Sequence, residues 1–180
     1  STIAIGSNGG RNLVINNSAI GTAVNPYRTA MNLNGASATL TQSTVFSIQG
    51  ILLGGSSLLV QSSNINALGG VASGFLLVQS SLTLNNSQLN ITSSDANGRS
   101  IGAIQIVDNA SNSSINNSNI TVNLTGPGEA LGLGVANIPS AIEMNGGSLT
   151  VSGNTAALTT GPNISFSGVA CMLNGIVASC

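Results

Sequence analysis

The sequence predicts an all-β chain: a single-stranded, right-handed parallel β-helix of about six to seven coils, with a C-terminal disulfide hairpin as its candidate cap. Three observations predict it. One short row of residues recurs along the chain, the extra length between rows falls at one place in each repeat, and all four prolines lie outside the rows. Self-similarity at a period of 20 residues or more is the signature of stacked coils. A proline inside a central strand would remove a ladder hydrogen bond.

The recurring row reads apolar-x-apolar, three polar residues, one free position, apolar. It is clearest in "LVINNSAI", "LTLNNSQL" and "SSINNSNI". Taking the apolar residue before each polar triplet as an anchor gives Ile15, Leu40, Val60, Leu84, Ile115 and Val151. Their spacings are 25, 20, 24, 31 and 36 residues. A second alternating pair precedes each row, including Met31 and Leu33, Phe75 and Leu77, and Ile142 and Met144. Alternation at period two is the pattern of half-buried strands. Each repeat therefore supplies two or three short strands with Gly, Ser and Asn corners. The variable length falls in corner loops 21–30, 66–74, 92–103 and 122–141. Residues 1–160 are assigned to the β-helix, and 161–180 to a terminal partial coil with a disulfide-closed cap.

The polar triplet is read as the bend between two strands. Asparagine tolerates left-handed backbone angles and bonds its own turn, and stacked amides can pair from coil to coil. The expected corner ladder comprises Asn16, Gln42, Ser63, Asn85, Asn116 and Asn154. Nine N-x-S/T sequons are present, but a chain this rich in Asn, Ser and Thr makes them by coincidence.

Composition excludes several functions. Only 4% of residues are charged and the net charge is −1, so there is no basic surface for nucleic acid. No apolar run reaches the roughly 18 residues of a membrane span. Histidine is absent and there are two cysteines, so no zinc site is expected, nor any cofactor. Hydrolases and lyases on this fold need clustered carboxylates. The four acids, Asp95, Asp108, Glu129 and Glu143, are scattered along the chain, and the abundant serines have no base to activate them. No catalytic residue is assigned; a tailspike-like polysaccharide depolymerase or lyase is the alternative, with Asp108 and Glu143 as the residues to test. Loops on a rigid scaffold commonly carry binding. Their unusual side chains, Tyr27, Arg28, Asp95, Arg99 and Glu129, are the candidate contacts.

Cys171 and Cys180 frame "CMLNGIVASC". A type II′ turn at Gly175-Ile176 sets the cysteines opposite each other at a non-hydrogen-bonded pair, where a disulfide fits. A type I′ turn at Asn174-Gly175 instead sets Cys171 opposite Ala178 and leaves the thiols diagonal. In a third reading Cys171 is a plain apolar residue of a last coil. A disulfide implies an oxidising compartment.

Irregular, nearly uncharged coils written in Asn, Ser, Thr, Gly and Leu resemble the passenger domains of bacterial autotransporters and of two-partner-secreted, filamentous-haemagglutinin-like adhesins. The resemblance spans about residues 1–160. Some of those adhesins carry a C-terminal cysteine pair that helps hold them at the surface, and Cys171 and Cys180 are similar in placement. The resemblance implies an extracellular or cell-surface rod, acting in adhesion, self-association or rigid display, or as a purely structural spacer. Its partners would be a host or bacterial surface glycan or protein, or another copy of itself. Its export signal would lie outside this chain.

Overall fold

The computed structural model describes residues 3–69, 73–94, 97–108 and 110–180, and among them it contains strands and no helix. Coil one carries β1 (Ile3–Asn8), β2 (Asn12–Asn16) and β3 (Ala19–Ile20). Coil two carries β4 (Thr29–Asn34), β5 (Ser37–Thr41) and β6 (Thr44–Ser47). Coil three carries β7 (Ile51–Gly54), β8 (Ser57–Gln61) and β9 (Asn64–Leu68), and coil four β10 (Ser73–Val78), β11 (Ser81–Asn85) and β12 (Gln88–Ser93). In coil five β13 (Ile101–Ile106) precedes one long strand, β14 (Asn112–Leu124). In coil six β15 (Glu129–Val135) precedes β16 (Ala141–Ser152). Coil seven adds β17 (Thr155–Thr160), β18 (Ile164–Ser167) and β19 (Ala170–Leu173), followed by β20 (Ile176–Ala178).

These strands stack into a parallel β-solenoid with three faces. Face one is the sheet β1-β4-β7-β10-β13-β15-β17. Face two runs β2-β5-β8-β11, the first half of β14, the first half of β16, then β18. Face three runs β3-β6-β9-β12, the second halves of β14 and β16, then β19. Every pairing is parallel except β19 with β20. Seven coils at about 4.8 Å make a stack roughly 29 Å from first to last.

The period-two pattern becomes columns running down the interior. Met31, Ile51, Phe75, Ile104 and Leu133 are in register on face one. Ile15, Leu40, Val60, Leu84, Ile115 and Met144 are in register on face two, and Val45, Ile65, Leu89, Ile120 and Leu149 on face three. All of these except Ile15 are fully enclosed. Ser113 breaks the neighbouring face-two column between Leu82 and Ile142, and its buried hydroxyl has no hydrogen-bond partner.

The register corrects the sequence reading in the sixth coil. The anchor there is Met144, opposite Ile115, while Leu149 and Val151 belong to face three. Both Ile142-x-Met144 and Leu149-x-Val151 satisfy the same alternating template, so period two alone cannot separate them. The correction shifts the rest of the coil. Its first strand is β15, inside the stretch expected to be a corner loop, so Glu129 begins a strand opposite Thr155. Asn154 lies beyond β16 rather than in the polar corner. Glu143 lies opposite Ser114 on face two, around a corner from Asp108.

The hairpin also differs from its preferred reading. Cys171 faces Ala178, Met172 faces Val177 and Leu173 faces Ile176, with Asn174 and Gly175 both at positive φ. This is the type I′ register that Asn-Gly favours. The disulfide still forms, with the Cα atoms 5.6 Å apart, because Cys180 lies past the end of β20 and is free of the ladder. Cys171 is also buried in the face-three column beneath Leu149, so it serves both as core residue and as cross-link. β20 covers the outer edge of β19, an edge that would otherwise be open to another chain.

Candidate functional site

The corner between faces two and three carries the polar triplet. Its first residues, Asn16, Thr41, Gln61, Asn85 and Asn116, lie in register; the first four close their strands, and Asn116 sits within β14. Within this column an amide pair is made once, from Asn116 Nδ2 to Asn85 Oδ1 at 2.9 Å. The second residues turn the chain: Asn17, Gln42, Ser62, Asn86 and Asn117 all have φ between 47° and 50°. That left-handed conformation suits Asn and strains Gln and Ser. Gln42 thus occupies the turning position, one residue past the column of Asn16, Asn85 and Asn116.

The third residues form the ladder, and all are serines. The backbone N–H groups of Ser18, Ser43, Ser63 and Ser87 donate to the hydroxyls of Ser43, Ser63, Ser87 and Ser118 in the next coil, at 3.0–3.2 Å. Each hydroxyl in turn donates to the carbonyl two residues back, at 2.7–2.9 Å. A bend breaks the strand ladder, and the serine replaces the missing bond between coils. Of the expected ladder, Ser63 is a member; Ser18, Ser43, Ser87 and Ser118, each the third letter of its triplet, complete it. Their constant position was the signal. A second serine ladder closes the corner between faces one and two, where Ala36, Ser56, Ser80 and Ser111 donate N–H groups to Ser56, Ser80, Ser111 and Ser140. Asp108 caps the same corner by accepting the N–H of Gln79.

Because the serines turn inward, the turning residues project outward. Asn17, Gln42, Ser62 and Asn86 flank a shallow trough with Thr44, Asn64 and Gln88, the first outward residues of face three. The trough has a volume of about 460 Å³ and its lining carries no charged side chain. Asn64 Oδ1 accepts from Asn90, while the side chains of Asn17, Gln42, Asn86 and Gln88 are exposed. The result is a row of neutral polar groups at the coil repeat, amides in coils one, two and four and the Ser62 hydroxyl in coil three, on a backbone fixed by the ladder beneath it.

The five loop candidates do not converge on one site. Tyr27 and Arg28 lie at the entrance to coil two; Tyr27 donates its N–H to Phe46 O, accepts from Ile48 N at 2.7 Å, and packs half-buried on the core. It borders an open hollow of about 640 Å³ with Val24, Pro26 and Ile48. Arg28 is exposed. Asp95 lies outside the described residues. Arg99 and Glu129 are close neighbours in adjacent coils, since Gly128 packs directly against the Arg99 carbonyl. Among the described residues no three His, Cys, Asp or Glu side chains gather as a metal site, and no helix is long and apolar enough to cross a membrane.

Comparison with protein-family models, curated proteins and solved structures yields no match. The chain stands, on its own geometry, as a disulfide-bonded parallel β-solenoid with an uncharged amide trough along one corner.

Proposed function

We propose that this chain is a non-enzymatic, exported or cell-surface β-helical rod that works in adhesion and display, in the manner of bacterial passenger domains, and that its adhesive surface is the amide trough, which takes a neutral glycan. One observation carries the reading: Asn17, Gln42 and Asn86 present uncommitted neutral amides at the turning positions of coils one, two and four, with Gln88 beside them on face three, on a rigid stack. Amides pair with sugar hydroxyls, and a rise of about 4.8 Å per coil approximates one pyranose unit of an extended chain lying along the axis. The absence of charge favours neutral sugars over uronates or sulfated chains. The absence of stacking aromatics in the trough favours modest affinity reinforced by multivalency. The disulfide supports an oxidising, extracellular setting.

The non-catalytic part of the reading is supported by the acids and the serines. Asp108 is engaged at a corner, Glu143 is on face two and Glu129 opens a face-one strand. The ladder serines have both their donor and acceptor roles taken by backbone.

The test is a glycan array followed by titration of neutral and acidic oligosaccharides. Neutral chains should bind with little dependence on salt, and the Gln42→Ala/Asn86→Ala double variant should weaken binding about tenfold or more. No binding on the array, with no cell adhesion, overturns the reading.

A further inference from the structure

We infer that face one is the surface on which two copies of this chain pair side by side and antiparallel, about a two-fold axis through coil four. The inference gives a location to the self-association that the resemblance to surface adhesins implies and rests on that implication alone; it uses a face separate from the amide trough.

The outward column at the middle of face one reads, in register, Gly6, Asn32, Leu52, Leu76, Gln105, Gly134 and Thr160. The next outward column reads Asn34, Gly54 and Val78, with Val107 following in the next coil. Leu52 and Leu76 are partly exposed, and Val78 and Val107 are 40% and 48% exposed. Turning a second copy over about coil four sets coil two against coil six and coil three against coil five. Leu76 and Val78 then meet their own counterparts on the axis. Val107 faces Gly54 of the other copy, and Asn32 faces Gly134. Large residues thus oppose small ones at these two positions on each side of the axis, while Leu52 lies against the Gln105 side chain of the other copy. The Gly134 position is also a real recess, about 340 Å³, lined by Gln105, Val107, Leu131 and Thr160.

The few charges agree with this arrangement. Coils one and two carry Arg11 and Arg28, while coils five and six carry Asp108, Glu129 and Glu143 together with one arginine, Arg99, which neighbours Glu129, so the two ends still differ in sign. Arg28, just before β4, and Glu129, the first residue of β15, are both exposed at the same margin of face one, in coils two and six. Four coil spacings, about 19 Å, separate them within one chain. In the antiparallel pair each Arg28 stands opposite the Glu129 of the other copy, twice by symmetry. The face measures about 20 by 30 Å, so the pair would bury on the order of 1,200 Å² in total, above the roughly 1,000 Å² a specific interface needs. A net charge of −1 offers little repulsion to oppose association.

The experiment is sedimentation equilibrium of the folded chain at low and high salt, with far-UV circular dichroism confirming the β-structure of each variant. A dimer that weakens with salt is expected. Leu76→Lys should make it monomeric. Arg28→Glu and Glu129→Arg should each raise the dissociation constant about tenfold, and the Arg28→Glu/Glu129→Arg double swap should restore it. A monomer at all concentrations, a dimer that survives Leu76→Lys, or single variants whose loss the double swap leaves uncorrected overturns the pairing. A monomer that still binds neutral glycans would overturn this pairing and leave the trough reading standing; a dimer without glycan binding would do the reverse.

Discussion

Coils two to four and coil six solve the same corner in two ways. In coils two to four the corner between faces two and three is a left-handed residue followed by a serine, and the strand breaks there; coil five keeps the same pair, Asn117 and Ser118, within the unbroken β14. In coil six the same positions hold Gly146 and Gly147, both at positive φ. The ladder ends at Ser118, and the backbone takes over: Ser118 pairs directly with Gly147 and Asn119 with Ser148, so β14 and β16 run unbroken through the corner. A hydroxyl spans the gap in the first arrangement, whereas the second closes the gap and needs a residue without a side chain. The lower coils also pack less tightly, with Leu158, Ile164 and Phe166 only partly buried, and it is there that the disulfide hairpin sits.

This contrast can be broken in four places. The largest effect is expected at Gly147. Gly147→Ser makes an Asn-Gly-Ser triplet like those above, yet its Cβ would collide with the Ser118 carbonyl in a strained backbone conformation. The loss should be about 3 kcal/mol or more, read by urea unfolding; a neutral or stabilising result would show the two corners to be interchangeable. Next, Cys171→Ser/Cys180→Ser opens a loop of sequence separation 9, and should cost roughly 2.5–3 kcal/mol by chain entropy. Local hydrogen exchange should rise in coil seven before coil three, and a uniform rise would contradict the picture of a fastened lower end.

Ser87→Ala removes a mid-stack rung. It strips the Ser63 N–H of its acceptor and the Asn85 carbonyl of a donor, for about 1–3 kcal/mol. A change under about 0.5 kcal/mol would mean that the ladder is incidental. The smallest effect has the opposite sign. Ser113→Ala deletes a buried hydroxyl with no partner from an otherwise apolar column, and should raise stability by about 1 kcal/mol. Thermal melts suffice, and a destabilised variant would reveal a partner for that hydroxyl.

The parts of this molecule legible in advance were those that repeat at short range. The apolar columns followed from alternation, the parallel stack from recurrence of whole rows, and the disulfide from the two cysteines around a turn. The amide trough was half legible: the triplet marked the corner, but which of its three letters turned the chain and which bonded to the next coil could not be read from composition. The loop candidates fared differently. Arg99 and Glu129 came near each other through Gly128, and neither lies close in sequence to Tyr27 or Arg28.

The sequence by itself determined that this chain stacks, because an alternating strand must bury one face and identical rows bury it best against each other. It also determined that the surface is polar without charge, since the chain has seven ionisable acidic and basic side chains in all. Only the tertiary structure decided that Ile142 and Met144, rather than Leu149 and Val151, sit beneath Ile115's row. Both pairs fit the template locally. The choice rests on whether Gly146-Gly147 can close against Ser118 one coil above, and that contact joins residues 29 apart in the chain.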